Sequence, residues 1–131
     1  MFITRECDYA IRVVRDLADY QMKNVKVICE REQIPLPFAY KILKKLEHAG
    51  IVDSYRGAAG GYQLSKSPNN ITLFEIINAV DENLFLNECL QQGYVCARNA
   101  KGNYCGVHSE LIRVQELLKK ALSEKTIDNL I

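Results

Sequence analysis

Three cysteines and a histidine, Cys89, Cys96, Cys105 and His108, share one polar stretch, with gaps of six, eight and two residues between them. Thiolate and imidazole are the donors expected around an iron–sulfur cluster or a zinc ion. The gaps do not follow the two-pair spacing of a zinc module. Gaps of six and eight residues suit a loop wrapped around a larger object. The two other cysteines, Cys7 and Cys29, border helical apolar stripes and read as small hydrophobes filling core positions. Met1–Asp8 is already polar and charged, so no secretory signal is expected and the cytoplasm is the expected compartment. Five cysteines in a reducing compartment argue for metal or redox chemistry more than for structural disulfides.

A second set of residues suits a polyanion. The net charge is only +1, but it is unevenly placed. Residues 1–30 balance to zero, residues 31–66 carry +3 and residues 71–131 carry −2. The basic segment holds Lys41, Lys44, Lys45 and Arg56. Cations supply most of the affinity for nucleic acid, and side chains reaching base edges supply specificity. A run of lysines on a surface helix is ordinarily a solvated face. The elements around these lysines decide between the two readings.

The 131 residues suffice for one domain with a real core, and no apolar run is long enough to span a bilayer. Residues 4–22 read as a helix capped by Thr4, with Ala10, Val14, Leu17 and Gln21 along its apolar stripe. Val27–Glu32 reads as a short second helix. Pro35 breaks the helical pattern at Ile34, and Pro37 suits the first turn of a third helix that ends before Gly50. On that third helix Phe38, Ile42, Leu46 and Ala49 share one face. Pro37, Tyr40, Lys41, Lys44 and His48 share the other, which stays open for a partner. Ile51–Tyr55 and Tyr62–Leu64 read as strands joined by the glycine-rich Arg56–Gly61 turn. Helices followed by a hairpin with an arginine at its tip make a winged helix-turn-helix, and this order favours a DNA-facing role for the lysines.

Thr72 and Glu75 form a capping box for a further helix. Residues 83–108 lose periodicity and contain the cysteines. A last long helix begins near Ser109, with Leu111, Val114, Leu118 and Ala121 in a heptad-like seam and Val107 one step upstream. Two readings of the seam stay open: packing on its own domain, or a dimer helix. The expected fold is therefore mainly α with a small β-hairpin wing. A winged head over 1–82, a cysteine loop over 83–108 and a dimerisation helix over 109–131 would form one structural domain.

These residues resemble the IscR/NsrR/CymR family of bacterial winged-helix transcription regulators. The matching features are Asp8-Tyr-Ala-Ile-Arg12, Ile34–Leu46, Ala49-Gly-Ile-Val52, the wing Arg56-Gly57 with Gly60-Gly-Tyr62, and Cys105-x-x-His108. The resemblance covers nearly the whole chain, and the wing is its most specific piece. It implies a homodimer on a palindromic operator in double-stranded DNA and, in many members, an iron–sulfur cluster in the loop before the dimer helix. By this resemblance Pro35 and Pro37 open the recognition helix near the DNA backbone. Tyr40 and Lys41 point at bases, and Lys44 sits near a phosphate. Arg56 enters the minor groove, where negative potential favours arginine. Gly57, Gly60 and Gly61 let the wing turn tightly.

The resemblance also makes Cys89, Cys96 and Cys105 cluster ligands, though both long gaps exceed the family's commonest spacing. His108 is the favoured fourth ligand and implies a 2Fe–2S cluster. Asp8 from the other subunit is the alternative and implies 4Fe–4S. Asp8 is equally a first-turn acid interacting with the helix dipole. The rival readings are a cluster-free family member regulated by a partner protein or small molecule, a structural zinc site in the same loop, and a small iron–sulfur redox protein. No nucleophile–base pair or phosphate-binding loop is present, so an enzyme is not expected.

Overall fold

The computed structural model describes residues 3–98, 102 and 104–131. Helix α1 spans Arg5–Asp16, and the Thr4 hydroxyl accepts the Cys7 amide at 3.3 Å to cap it. Glu6 and Asp8 in its first turn and Arg15 in its last complement the helix dipole. Cys7, Ala10, Val13, Val14 and Leu17 are fully buried.

This helix stops well short of the expected residue 22. A 3-10 turn over Leu17–Asp19 follows, and Tyr20 closes it in the left-handed region at φ 64°. The Asp19 side chain accepts the Gln21 amide at 3.0 Å, and Gln21 is exposed rather than on the apolar stripe. The turn is held from beneath by Lys23, whose ammonium donates to the Asp16 carbonyl and pairs with Asp19 at 2.8 Å. Asp16 itself is buried and also pairs with Arg31 at 2.8 Å. Burial raises its carboxyl above the ordinary range, against the pull of Lys23 and Arg31.

Helix α2 is Val25–Glu32, two residues longer at its start than expected, because Asn24 caps it by accepting the Lys26 amide at 2.9 Å. Gln33 ends it in the left-handed region at φ 55°. Pro35 then leads into α3, Leu36–His48. The buried face of α3 is Ala39, Ile42, Leu43 and Leu46. Phe38 and Ala49, expected on that face, are exposed. The helix is clasped by α1, α2 and the fourth helix together, and this shifts its buried arc toward Ala39 and Leu43. Phe38 lies at the margin, edge-on to Tyr9 with ring centroids 5.9 Å apart.

Strands β1, Val52–Tyr55, and β2, Gly61–Leu64, pair antiparallel from Val52 opposite Leu64 to Tyr55 opposite Gly61. Lys23 adds a single rung beside Tyr62. Helix α4, Leu73–Val80, carries the expected capping box: Thr72 accepts the Glu75 amide and Glu75 accepts the Thr72 amide at 2.8 Å. Ile76, Ile77 and Val80 bury against the head.

Helix α5 spans Gly106–Leu122, starting three residues before the expected Ser109 because Cys105 serves as its cap. Its one buried residue is Gln115. Beyond it, the buried Ile127 donates to the Ile71 carbonyl at 2.8 Å, tying the chain's end to the base of α4. Among the described residues no helix is long and apolar enough to cross a membrane.

Candidate functional site

The outer face of α3 is built by its own periodicity. Once Ala39, Ile42, Leu43 and Leu46 turn inward, Tyr40, Lys41 and Lys44 must turn out, and all three are exposed. Tyr40 is 49% exposed, so it does not cover the core at the helix edge. Pro35 and Pro37 stand exposed at the start of this helix, and His48 is an exposed residue near its end. The three lysines differ electrostatically. Lys41 and Lys45 converge on Glu6 of α1, with Lys45 at 2.8 Å, and Lys45 also donates to the Val80 carbonyl at 2.9 Å. The hydrogen bonds from Lys41 and then Lys45 hold the Glu6 carboxyl below its ordinary range. Among the described residues Lys44 has no acidic partner within 4 Å.

The wing adjoins this helix. Ser54 of β1 donates to Glu47 of α3 at 2.5 Å. Arg56 leads the exposed turn out of β1. Gly57 has φ 105°, a conformation that side-chain-bearing residues avoid. A Cβ on Gly60 would lie 2.2 Å from the Tyr55 carbonyl oxygen, so the turn can close this tightly only on glycine.

The cysteine loop is positioned by α5. Cys105 caps that helix, its sulfur accepting the His108 amide at 3.4 Å. Cys89 lies in the 3-10 turn Glu88–Leu90, which packs on α5. Cys89, Cys96, Cys105 and His108 are all half-buried. No disulfide joins any of the cysteines. The Nδ1 of His108 is buried with no hydrogen-bond partner, an orphaned donor or acceptor of the kind a ligand satisfies. Among the described residues no three Cys, His, Asp or Glu side chains are drawn together into a metal-binding group. Cys105 and His108 are thus joined through the helix cap, sulfur to backbone amide, while among the described residues Cys89 and Cys96 are not gathered with them into one site.

Asp8 is engaged elsewhere. It pairs with Arg12 at 3.1 Å, and Arg12 reaches on to the Glu32 carbonyl at 3.2 Å. Cys7 is fully buried beneath the Thr4 hydroxyl, and Cys29 packs half-buried against the core, as a small hydrophobe would. Burial, then neighbouring Glu30, pushes the Cys29 thiol up.

Sequence reasoning passed over three residues that shape this surface. Glu6 neutralises part of the basic face, but its partners lie 35 and 39 residues away, beyond any local pattern. Lys23 anchors the wing to the α1 turn, through contacts with Tyr62 that no local pattern marks. Gln115 clamps the cysteine loop by accepting the Leu86 amide at 3.0 Å. A polar residue beside the Leu111–Leu118 stripe was the available signal.

Comparison with known proteins follows the same lines. Residues 3–131 match the model of the Rrf2 family, described as iron-dependent transcriptional regulators. The protein slr0846 of Synechocystis sp. is 44% identical over 87 residues, 64% of this chain, and the match spans 59% of that protein's length. The regulator IscR of Pectobacterium carotovorum is 30% identical over 134 residues, covering 100% of this chain and 79% of IscR. The structure of CymR, the global cysteine regulator of B. subtilis, superposes with a TM-score of 0.75 at 24% identity, covering 98% of this chain and 94% of CymR. With the winged-helix fold in place and a family match from residue 3 to residue 131, the chain belongs to the Rrf2 family of transcriptional regulators.

Proposed function

We propose that the chain binds double-stranded DNA as a homodimer on a palindromic operator, with its affinity set by an iron–sulfur cluster held in the 83–108 loop. The arrangement of α3 and the wing carries this reading. Tyr40, Lys41 and Lys44 face outward from a helix whose neighbouring hairpin presents Arg56 on a glycine-built tip. Lys44 and Arg56 would meet phosphate and minor groove, while Tyr40 and Lys41 would reach base edges. Pro35 and Pro37 would bring the start of α3 close to the DNA backbone. Gly57 and Gly60 would keep the wing thin enough for close approach.

The dimer reading rests on the unburied side of α5. Of the expected seam, Leu111, Val114 and Leu118 are half-buried and Val107 and Ala121 are exposed, and Leu117 joins Val107 and Ala121 on the exposed side. Val107 is 69% and Leu117 52% exposed in the single chain, a stripe that water solvates poorly. The head over 1–82, the loop over 83–108 and the helix over 109–131 would then serve as reader, sensor and dimer contact.

The donor chemistry suits a cluster: three thiols from Cys89, Cys96 and Cys105, with His108, whose buried Nδ1 has no partner, one turn into the helix that Cys105 caps. His108 is favoured over Asp8 as the fourth ligand because its buried Nδ1 has no partner, whereas Asp8 is paired with Arg12; by the family resemblance His108 goes with 2Fe–2S and Asp8 with 4Fe–4S. A bound cluster supplies redox and ligand-exchange chemistry responsive to iron, oxidant or nitric oxide. The chain's own part is mechanical. Cys105 caps α5, Cys89 sits in the turn packed on α5, and Gln115 fastens Leu86 to the same helix. A change in how the loop is held therefore bears on α5 and on the spacing of two recognition helices across a dimer. Operator affinity changes only if the two states bind DNA differently.

A second reading is a cluster-free regulator, favoured by the one observation that among the described residues no three donors converge. Anaerobic purification followed by iron, sulfide and zinc analysis with a visible absorption spectrum separates the two. Iron with matching sulfide and visible absorption is expected. Zinc alone, or no metal with full operator binding, would overturn the cluster.

A further inference from the structure

Lys23 is the one buried lysine or arginine among the described residues. An ammonium withdrawn from water is costly unless carboxylates and carbonyls surround it. Here they come from the end of α1 and its following turn. The Nζ pairs with Asp19 at 2.8 Å, donates to the Asp16 carbonyl and lies 3.8 Å from the Asp16 carboxylate. Asp16 is in turn held by Arg31 of α2 at 2.8 Å. The side chain of Lys23 is therefore fixed at the junction of α1 and α2.

Its backbone is fixed to the wing. The Lys23 amide donates to the Tyr62 carbonyl at 2.9 Å, and the Tyr62 amide donates to the Lys23 carbonyl at 2.8 Å. The neighbouring Gln63 reaches back to the Tyr20 carbonyl at 2.5 Å. Gly61 is glycine for this contact: a Cβ there would stand 2.4 Å from the Lys23 oxygen. Tyr62 is opposite Ser54, two residues before Arg56. A hairpin of two four-residue strands has little rigidity of its own. Its orientation is set by what it is fastened to.

We propose that Lys23 is a positioning residue for DNA recognition, its buried ammonium fixing the wing, and with it Arg56, relative to α3. This rests on the reading of Arg56 as a DNA contact. An apolar side chain of similar length would fill the same space, but it would lack the three oxygens that set where the Lys23 backbone meets Tyr62.

The test is a double-mutant cycle on the full chain, read by fluorescence anisotropy with a labelled duplex from the chain's own promoter region. Arg56→Ala is expected to weaken binding about tenfold. Lys23→Met is expected to weaken it by roughly the same factor, and the double variant by little more than either alone, because a misplaced wing no longer uses its arginine. Gly61→Ala, which displaces the wing and leaves every charge in place, is expected to show the same non-additivity with Arg56→Ala. It supplies the cycle if Lys23→Met fails to fold. Losses that multiply in the double variants, or a folded Lys23→Met protein with unchanged affinity, would overturn the positioning role while leaving Arg56 as a contact. An Arg56→Ala protein that binds like the parent would instead overturn the wing contact, and the proposal with it.

Discussion

Glu6 on α1 and Lys41 on α3 are ion-paired across 35 residues of sequence, so an acid from outside the helix-turn-helix occupies a cation of its exposed face. Lys45 shares the same carboxylate. Glu6 thereby lowers the positive charge that α3 offers to phosphate and holds Lys41 toward α1.

Releasing that charge is expected to strengthen binding that does not depend on sequence. In Glu6→Gln, affinity for mixed-sequence duplex should rise, and the plot of log K against log salt should steepen by about one unit. The pairs are partly exposed and screened, so thermal stability at neutral pH should fall by less than about 1 kcal/mol. A salt titration by anisotropy checks the first expectation. An unchanged slope would show that Glu6 does not compete with DNA.

The same pair predicts a direction with pH. The folded-state pKa of Glu6 is depressed below its ordinary value of 4.5. Its contribution to stability is thus fully present above that ordinary value and fades as pH falls through the folded value. Parent and Glu6→Gln melting curves should therefore differ most near neutrality and converge in acid. A difference that grows on acidification would contradict this.

Gln115 offers a test of how firmly the cysteine loop is held. In Gln115→Met the half-buried Leu86 amide loses its acceptor, at an expected cost of about 1 kcal/mol in urea unfolding. Limited proteolysis should open residues 83–98 before the head. Unchanged stability and cleavage would mean that the loop is held by other contacts.

The outer stripe of α5 predicts the assembly state. Leu117 is 52% exposed in the single chain, so Leu117→Glu should still fold, with melting lowered only by the lost dimer contact. Sedimentation should move from dimer to monomer. A variant that remains dimeric at micromolar concentration would place the interface elsewhere.

What was legible in the sequence follows the range of the interactions involved. The Thr72–Glu75 capping box, the Gly57 and Gly60 turn and the two prolines around α3 act within a few residues, and each stands where its pattern implied. The early end of α1 was not legible, because it depends on Lys23 folding back under the Asp16 carbonyl. The shift of the α3 core face was not legible either. Phe38 outranks Leu43 on no local rule, and only the simultaneous contacts with α1, α2 and α4 decide which is buried. For the cysteine loop, Cys105 meets the His108 amide within one turn of helix, a local contact that their spacing allows. The path of Cys89 depends on contacts of its turn with α5 and of Leu86 with Gln115, which spacing does not encode.

In the proposed function the thiols of the 83–108 loop govern operator affinity. Its most direct test is operator binding by anaerobically purified parent and Cys96→Ser proteins, in parallel, on the same promoter duplex. The serine variant is expected to lose visible absorption and its Kd to shift about tenfold or more, with the melting of the head retained. Identical spectra and identical Kd values for the two proteins would contradict it.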